Sequence, residues 1–204
     1  MMSFLLFAFV ASITPGPTNI LVLNTSARYG LAASLPGLLG GGIGAAGLVL
    51  LVGTGVGRSL MEIPGAQVTM AVAGVIWLSW LAWKIWSSTT APHLPEQDDS
   101  RGRLGFMAAA GLQVVNPKTW MMALAVVSVF STGTTGENAI GHLALVFLLV
   151  ALPCIGCWAL LGAGSARWLA SPTSMQWFNR TMALLLLISA WAGFLTSQSV
   201  LFNS

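Results

Sequence analysis

The sequence predicts an all-α, polytopic membrane protein: six transmembrane helices in a 3+3 inverted repeat, with helices 1 and 4 broken. Three observations carry this. Of the 204 residues, 56% are hydrophobic and only 6% charged. A soluble domain carries about 25% charged residues, so this chain cannot cover a water-facing surface and its main solvent is lipid. Six apolar runs are long enough to cross about 30 Å of hydrocarbon, which takes about 20 helical residues. Two of these runs are interrupted near their middles, at Thr14-Pro15-Gly16-Pro17-Thr18-Asn19 and at Asn116-Pro117-Lys118.

Taken in order, span 1 covers roughly residues 3–25. No Lys or Arg precedes it and no small-x-small cleavage site precedes Thr14-Pro15, so it reads as a retained span rather than a signal peptide. Span 2, roughly 34–56, holds Gly37, Gly40, Gly41, Gly42, Gly44 and Gly47. Small residues four apart let helix backbones approach closely; the alternative is a sliding or substrate-lining groove. Span 3, roughly 66–86, carries Trp77, Trp80, Trp83 and Trp86 three apart. Trp83 and Trp86, beside Lys84, read as interface anchors, and a substrate ammonium on Trp77 or Trp80 is the alternative. The hydrophilic segment at about 87–103 reads as a cytoplasmic linker, the alternative being a metal or effector site at His93, for which no ligand spacing argues. It divides a single domain, 1–204, into repeat halves of about 1–90 and 104–204.

Span 4 covers roughly 104–130, span 5 roughly 139–163 and span 6 roughly 181–201. His142, near one end of span 5, reads as a headgroup-level polar residue, with proton coupling as the alternative. The same span holds Cys154 and Cys157. A CxxC can shuttle disulfides, which makes a membrane thiol-disulfide electron carrier the rival function. Packing is the plainer reading, since both cysteines fall in one span and the other half has none. A non-transporting structural membrane protein is the second rival, but it gives no reason for the two breaks.

Positive charges set the orientation. With the N-terminus outside, the loops after spans 1, 3 and 5 face the cytoplasm. They hold Arg28, Lys84, Arg101, Arg103, Arg167 and Arg180, against Arg58 alone on the outward side. Both termini are therefore expected outside the cytoplasm. The net charge of +3 is too small and dispersed to suggest a nucleic-acid partner.

The breaks carry the chemistry. Pro15 follows Phe4 by 11 residues and Pro117 follows Phe106 by 11. Helices broken at matched depth in two halves point to a transporter's midplane site. Asn116 is a good N-cap and Pro117 suits the first helical position, and Thr14-Pro15 offers the same pair in span 1. A restarted helix directs free N–H groups and the positive end of its dipole into the break. Lys118 adds a full charge, at an insertion cost of at least about 2.5–3.5 kcal/mol near a bilayer centre. Together these make an anion pocket suited to a carboxylate.

The chain resembles the lysine exporter / homoserine-threonine exporter (LysE/RhtB) family of bacterial amino-acid efflux proteins over nearly its whole length. The resemblance lies in Thr14-Pro15-Gly16-Pro17-Thr18-Asn19, Tyr29-Gly30, Gly40-Gly41-Gly42 with Gly44, Trp80-Leu81-Ala82-Trp83-Lys84 and Leu112-Gln113-Val114-Val115-Asn116-Pro117-Lys118. The Trp-Leu-Ala-Trp-Lys run and Cys157-Trp158-Ala159-Leu160 look like its cysteine/O-acetylserine exporter branch. Thr18 stands where many relatives carry Asn or Asp, which leaves substrate choice open. The resemblance implies six spans, a bacterial inner-membrane location and efflux of a small amino acid or derivative, driven by the proton gradient. The expected substrate site is Thr14, Pro15, Gly16, Pro17, Asn116, Pro117 and Lys118, with Thr18, Asn19 and Gln113 as further contributors. No metal, prosthetic group or enzymatic activity is expected; membrane lipid is the surrounding partner and homo-oligomerisation is left open.

Overall fold

A computed structural model describes residues 1–55, 59, 63, 65–87, 103–130, 137–165 and 171–202. Among the described residues the chain forms helices and no strands. They are α1 (Met2–Ile13), α2 (Pro17–Tyr29), α3 (Leu31–Gly53), α4 (Ala66–Trp86), α5 (Phe106–Val115), α6 (Pro117–Phe130), α7 (Glu137–Ser165) and α8 (Pro172–Phe202). Helix occupies each of the six expected runs. The last begins at Pro172, earlier than the apolar run, because the polar turns through Arg180 are helical too. Most of the linker, with His93, and the positive residues Arg58, Arg101 and Arg167 lie outside the described residues.

Two helices, Leu31–Gly53 and Ala139–Ser165, are long and apolar enough to cross a bilayer unaided. The pair α1–α2, bent by 54° at its break, passes the same test as one span. The broken pair α5–α6 supplies shorter apolar pieces. Gly30 alone joins α2 to α3, at φ 87°, a value that L side chains rarely adopt.

Two apolar cores flank the breaks. One gathers Phe4 and Ala8 of α1, Leu48 and Val49 of α3, Ala123 and Val126 of α6, and Ala144 and Phe147 of α7. Phe130 closes it, its ring 5.1 Å from Phe4 and 5.6 Å from Phe7. The other gathers Ile20 and Leu21 of α2, Leu78 and Ala82 of α4, Leu112 of α5, and Ala183 and Leu186 of α8. Each core thus takes one half of each broken helix, and the breaks fall between them. α3 packs on α5, α6 and α7, α2 on α7 and α8, α1 on α7, and α4 on α8.

The span 2 glycines work as contact points. A Cβ on Gly40 would meet the backbone carbonyl of Phe106, and one on Gly44 would stand 2.8 Å from Ala110 Cα. These two positions let α3 and α5 touch through their backbones. Gly47 meets nothing within 4 Å, so it lies off this contact. Two polar contacts cross between helices: Asn24 Nδ2 donates to Asn179 Oδ1 at 3.3 Å and Ser26 Oγ to the Ala159 carbonyl at 2.7 Å. Outward faces are apolar instead, with Ile76, Trp83, Leu149, Leu160 and Ile188 all exposed. Large hydrophobic side chains outside and paired polar ones inside suit a lipid solvent.

Candidate functional site

The first break departs from the sequence expectation in one respect. Thr14 does not open the second half-helix; it closes the first. Its backbone is extended, at φ −60° and ψ 132°, as a residue before proline prefers. Its hydroxyl donates back to the Val10 carbonyl at 2.6 Å, so that oxygen is not directed at α2. The cap-then-proline pair is Gly16-Pro17: Gly16 is the extended N-cap and Pro17 starts α2. Gly16 has no side chain to offer, and no side chain caps α2.

The second break follows the expectation. Asn116 ends α5 and Pro117 starts α6. Asn116 Oδ1 accepts from the Lys118 N–H at 3.2 Å, and its carbonyl accepts from the Thr119 N–H at 3.0 Å. α6 is therefore closed by its own cap. Of the two half-helix N-termini expected to face an anion, only that of α2 lacks a side-chain cap.

Lys118 joins the two breaks. Its Nζ donates to the Thr14 carbonyl at 2.7 Å. A Cβ on residue 16 would stand 3.0 Å from that Nζ and 3.2 Å from Lys118 Cδ, so the lysine chain packs closely over Gly16 and would have to shift for any larger residue. The ammonium thus lies against the uncapped, positive end of α2. No Asp or Glu occurs in α1, α2, α5 or α6 to balance it.

Side-chain donors cover the carbonyls that the breaks leave open. Asn19 Nδ2 donates to the Ser12 and Thr14 carbonyls at 2.9 and 3.0 Å, Trp158 Nε1 to Ile13 at 3.0 Å, and Trp120 Nε1 to Val114 at 2.7 Å. Gln113 Nε2 donates to Thr18 Oγ1 at 2.9 Å and to the Ala109 carbonyl at 2.9 Å, and its Oε1 accepts from Thr119 Oγ1 at 2.8 Å. Thr18, Asn19, Gln113, Asn116 and Lys118 therefore converge. Thr14 takes part through its carbonyl, while Pro15, Pro17 and Pro117 shape the breaks.

These groups surround a cavity of about 40 Å³. Its lining includes the polar residues Ser12, Thr18, Asn19, Gln113, Asn116 and Thr119, together with Gly41, Ala45, Met122, Phe147, Ala151 and Ile155. A wider recess of about 530 Å³ is lined mainly by apolar residues, among them Phe7, Pro15, Met121, Ile188 and Ala192. Gly16, Pro17, Lys118 and Met122 line both, so Lys118 stands at the partition.

Four contributors were not anticipated: Ser12, Thr119, Trp120 and Trp158. One signal for Thr119 was available, since it is the third residue of its half-helix, as Asn19 is of the other. The tryptophan stripe lies elsewhere. Trp77, Trp80, Trp83 and Trp86 are all exposed, and the face of Trp80 already carries Lys84 Nζ, 4.5 Å from its centroid. The stripe lines neither cavity, which leaves the anchor reading in place. Exposed His142 also lies off both cavities.

Cys154 is buried and Cys157 exposed, both as free thiols on α7, and neither lines a cavity. Replacing both with Ala is expected to leave transport intact. Lost transport, together with a redox-dependent mobility shift in the parent protein, would favour the electron-carrier alternative.

The family profile described as LysE type translocator matches residues 9–197. Curated relatives named cysteine/O-acetylserine efflux protein are 32% identical to the chain. In Klebsiella pneumoniae the match runs over 167 residues, 78% of this chain and 80% of the relative. In Salmonella typhimurium it runs over 169 residues and in Escherichia coli over 170, with the same coverage. No solved structure matches. A family profile spanning nearly the whole chain and bacterial relatives at this level of identity place it: the chain belongs to the LysE type translocator family, and is a membrane transporter rather than an enzyme.

Proposed function

We propose that the chain exports a small amino acid or amino-acid derivative across the bacterial inner membrane, driven by the proton gradient, with the substrate carboxylate held between the two breaks. One observation carries this: the Lys118 ammonium lies against the uncapped N-terminus of α2, at the edge of the small cavity. Two positive ends brought together without a carboxylate among their helices suit an anionic guest. On binding, the carboxylate replaces the Thr14 carbonyl as acceptor for Lys118 Nζ. The Thr14 carbonyl then keeps its bond from Asn19, so no buried acceptor is orphaned. The relatives' names favour cysteine or O-acetylserine as the guest. The test is to overproduce the protein in bacteria and measure which amino acids accumulate outside. Accumulation of a small neutral amino acid above the empty-vector level is expected; none across the panel would reject the export reading.

The same reading takes the chain as six spans in two inverted halves of three, with the breaks near the midplane. The more extensive helix contacts support it, although α4–α5, α6–α8 and α1–α6 have no counterpart of similar extent. Exchange α1 with α5, α2 with α6, α3 with α7 and α4 with α8. The contact of α1 on α7 then maps onto α5 on α3, and α2 on α7 onto α6 on α3. The contact of α2 on α8 maps onto α6 on α4, and the pairs α3–α7 and α4–α8 map onto themselves. An odd number of crossings per half inverts the second half, which brings both broken helices to one depth from opposite sides. Reporter fusions near Met1 and at Ser204 are expected outside the cytoplasm and one at Asp98 inside. A cytoplasmic C-terminus would reject the inverted arrangement.

A further inference from the structure

Hydroxyl groups on the helices of this protein follow a habit. Thr14, Thr25, Ser128 and Thr181 each donate to the carbonyl four residues back, and Ser34, Thr54 and Ser165 to the one three back. This is the default for Ser and Thr in a helix. Ser26 and Thr119 donate to other helices instead, and Ser12, in the last turn of α1, does neither. It is 8% exposed, and its Oγ is buried without a hydrogen-bond partner, alone in this among the described side chains. A buried hydroxyl left unsatisfied is costly, and the alternative of bonding back along α1 is not taken. Ser12 also lines the small cavity.

Three of the other side-chain oxygens there already accept a bond, while the Asn19 amide bonds through Nδ2. Thr18 Oγ1 accepts from Gln113, Gln113 Oε1 from Thr119, and Asn116 Oδ1 from the Lys118 N–H. We infer that Ser12 Oγ receives the α-ammonium of the transported amino acid, in a subsite that offers neutral oxygens and no carboxylate. The inference rests on the reading of Lys118 as the carboxylate site. Ser12 lies two residues before Thr14, whose carbonyl holds Lys118, so the receivers of the two charges share one helix end. The remaining wall, with Gly41, Ala45, Phe147, Ala151 and Ile155, offers a cationic side chain no side-chain acceptor. That wall disfavours a second cationic group and favours a short, uncharged side chain.

Purified protein is assayed for binding of O-acetyl-L-serine, and of 3-acetoxypropanoate, which keeps the carboxylate and lacks the ammonium. Ser12→Ala is expected to weaken O-acetyl-L-serine roughly tenfold to a hundredfold, the range for a lost hydrogen bond to a charged group. Its affinity for 3-acetoxypropanoate should stay at the parent value. L-Lysine should fail to compete in the parent. The Tm of Ser12→Ala should equal or exceed that of the parent, since the substitution removes no internal hydrogen bond. Equal affinity of both proteins for O-acetyl-L-serine would overturn the inference, as would L-lysine competing as well as O-acetyl-L-serine. A lowered Tm with equal losses for the two compounds would mark Ser12 as structural and overturn it too. If the parent binds neither compound, the carboxylate reading fails first and takes the inference with it.

Discussion

Lys118→Met is expected to abolish export while leaving the protein inserted and folded. The substitution removes a cation that costs at least about 2.5–3.5 kcal/mol near a bilayer centre and keeps similar bulk beside Gly16. Its one side-chain bond is to the Thr14 carbonyl, which Asn19 continues to satisfy. Stability should therefore hold or rise, and the loss should appear in transport. Lys118→Arg should rescue poorly. A guanidinium is a wide, planar fork, whereas the ammonium is compact and its chain packs closely over Gly16. An amino-acid amide should compete far less well than the free acid, because it lacks the charge that the proposed carboxylate site receives. Export assays with surface-level quantification of the variants check all three. Normal export by Lys118→Met, or equal competition by the amide, would remove the carboxylate mechanism.

The second large effect is structural and falls on span 2. Gly40→Ala should sharply lower the Tm and the yield of folded protein, because its Cβ would strike the carbonyl of Phe106 rather than a side chain that can turn aside. Overpacking of this kind costs about 1–3 kcal/mol, and more where backbone must move. Gly47→Ala, on the same helix, meets open space and should melt like the parent. α5 carries Gln113 at its far end, so prising it from α3 also strains the Gln113–Thr18 bond at 2.9 Å. Similar melting of the Gly40 and Gly47 variants would mean that the helices can part without penalty.

Sequence reading reached the breaks because proline is unambiguous about interrupting a helix, and reached Lys118 because a cation in an apolar run demands a reason. It went astray at Thr14-Pro15. Two prolines stand two apart, and which one starts the helix depends on whether the Thr14 hydroxyl turns forward or back. That choice is local geometry, and the bond to Val10 decided it. Ser12 was illegible for a different reason. Nothing in a sequence separates a serine that bonds back along its helix from one that does not. The glycines of span 2 announced close packing, yet only the placement of α5 shows that Gly40 and Gly44 make it and Gly47 does not. Gln113 was legible as a polar residue near a break; Trp158 was hidden because its partner, Ile13, lies 145 residues away.

Gly30 has a mechanical consequence. Tyr29 ends one helix and Leu31 begins the next, so a single residue at φ 87° is the whole joint. Consecutive Cα atoms are held about 3.8 Å apart, and such a joint has no slack. It turns, but it does not stretch. Any swing of α2 at the cavity must pass into α3 as a rotation, and α3 lies against α5, α6 and α7. A displacement that begins at Thr18 can thereby be felt at helices far along the chain, through a hinge with one tooth.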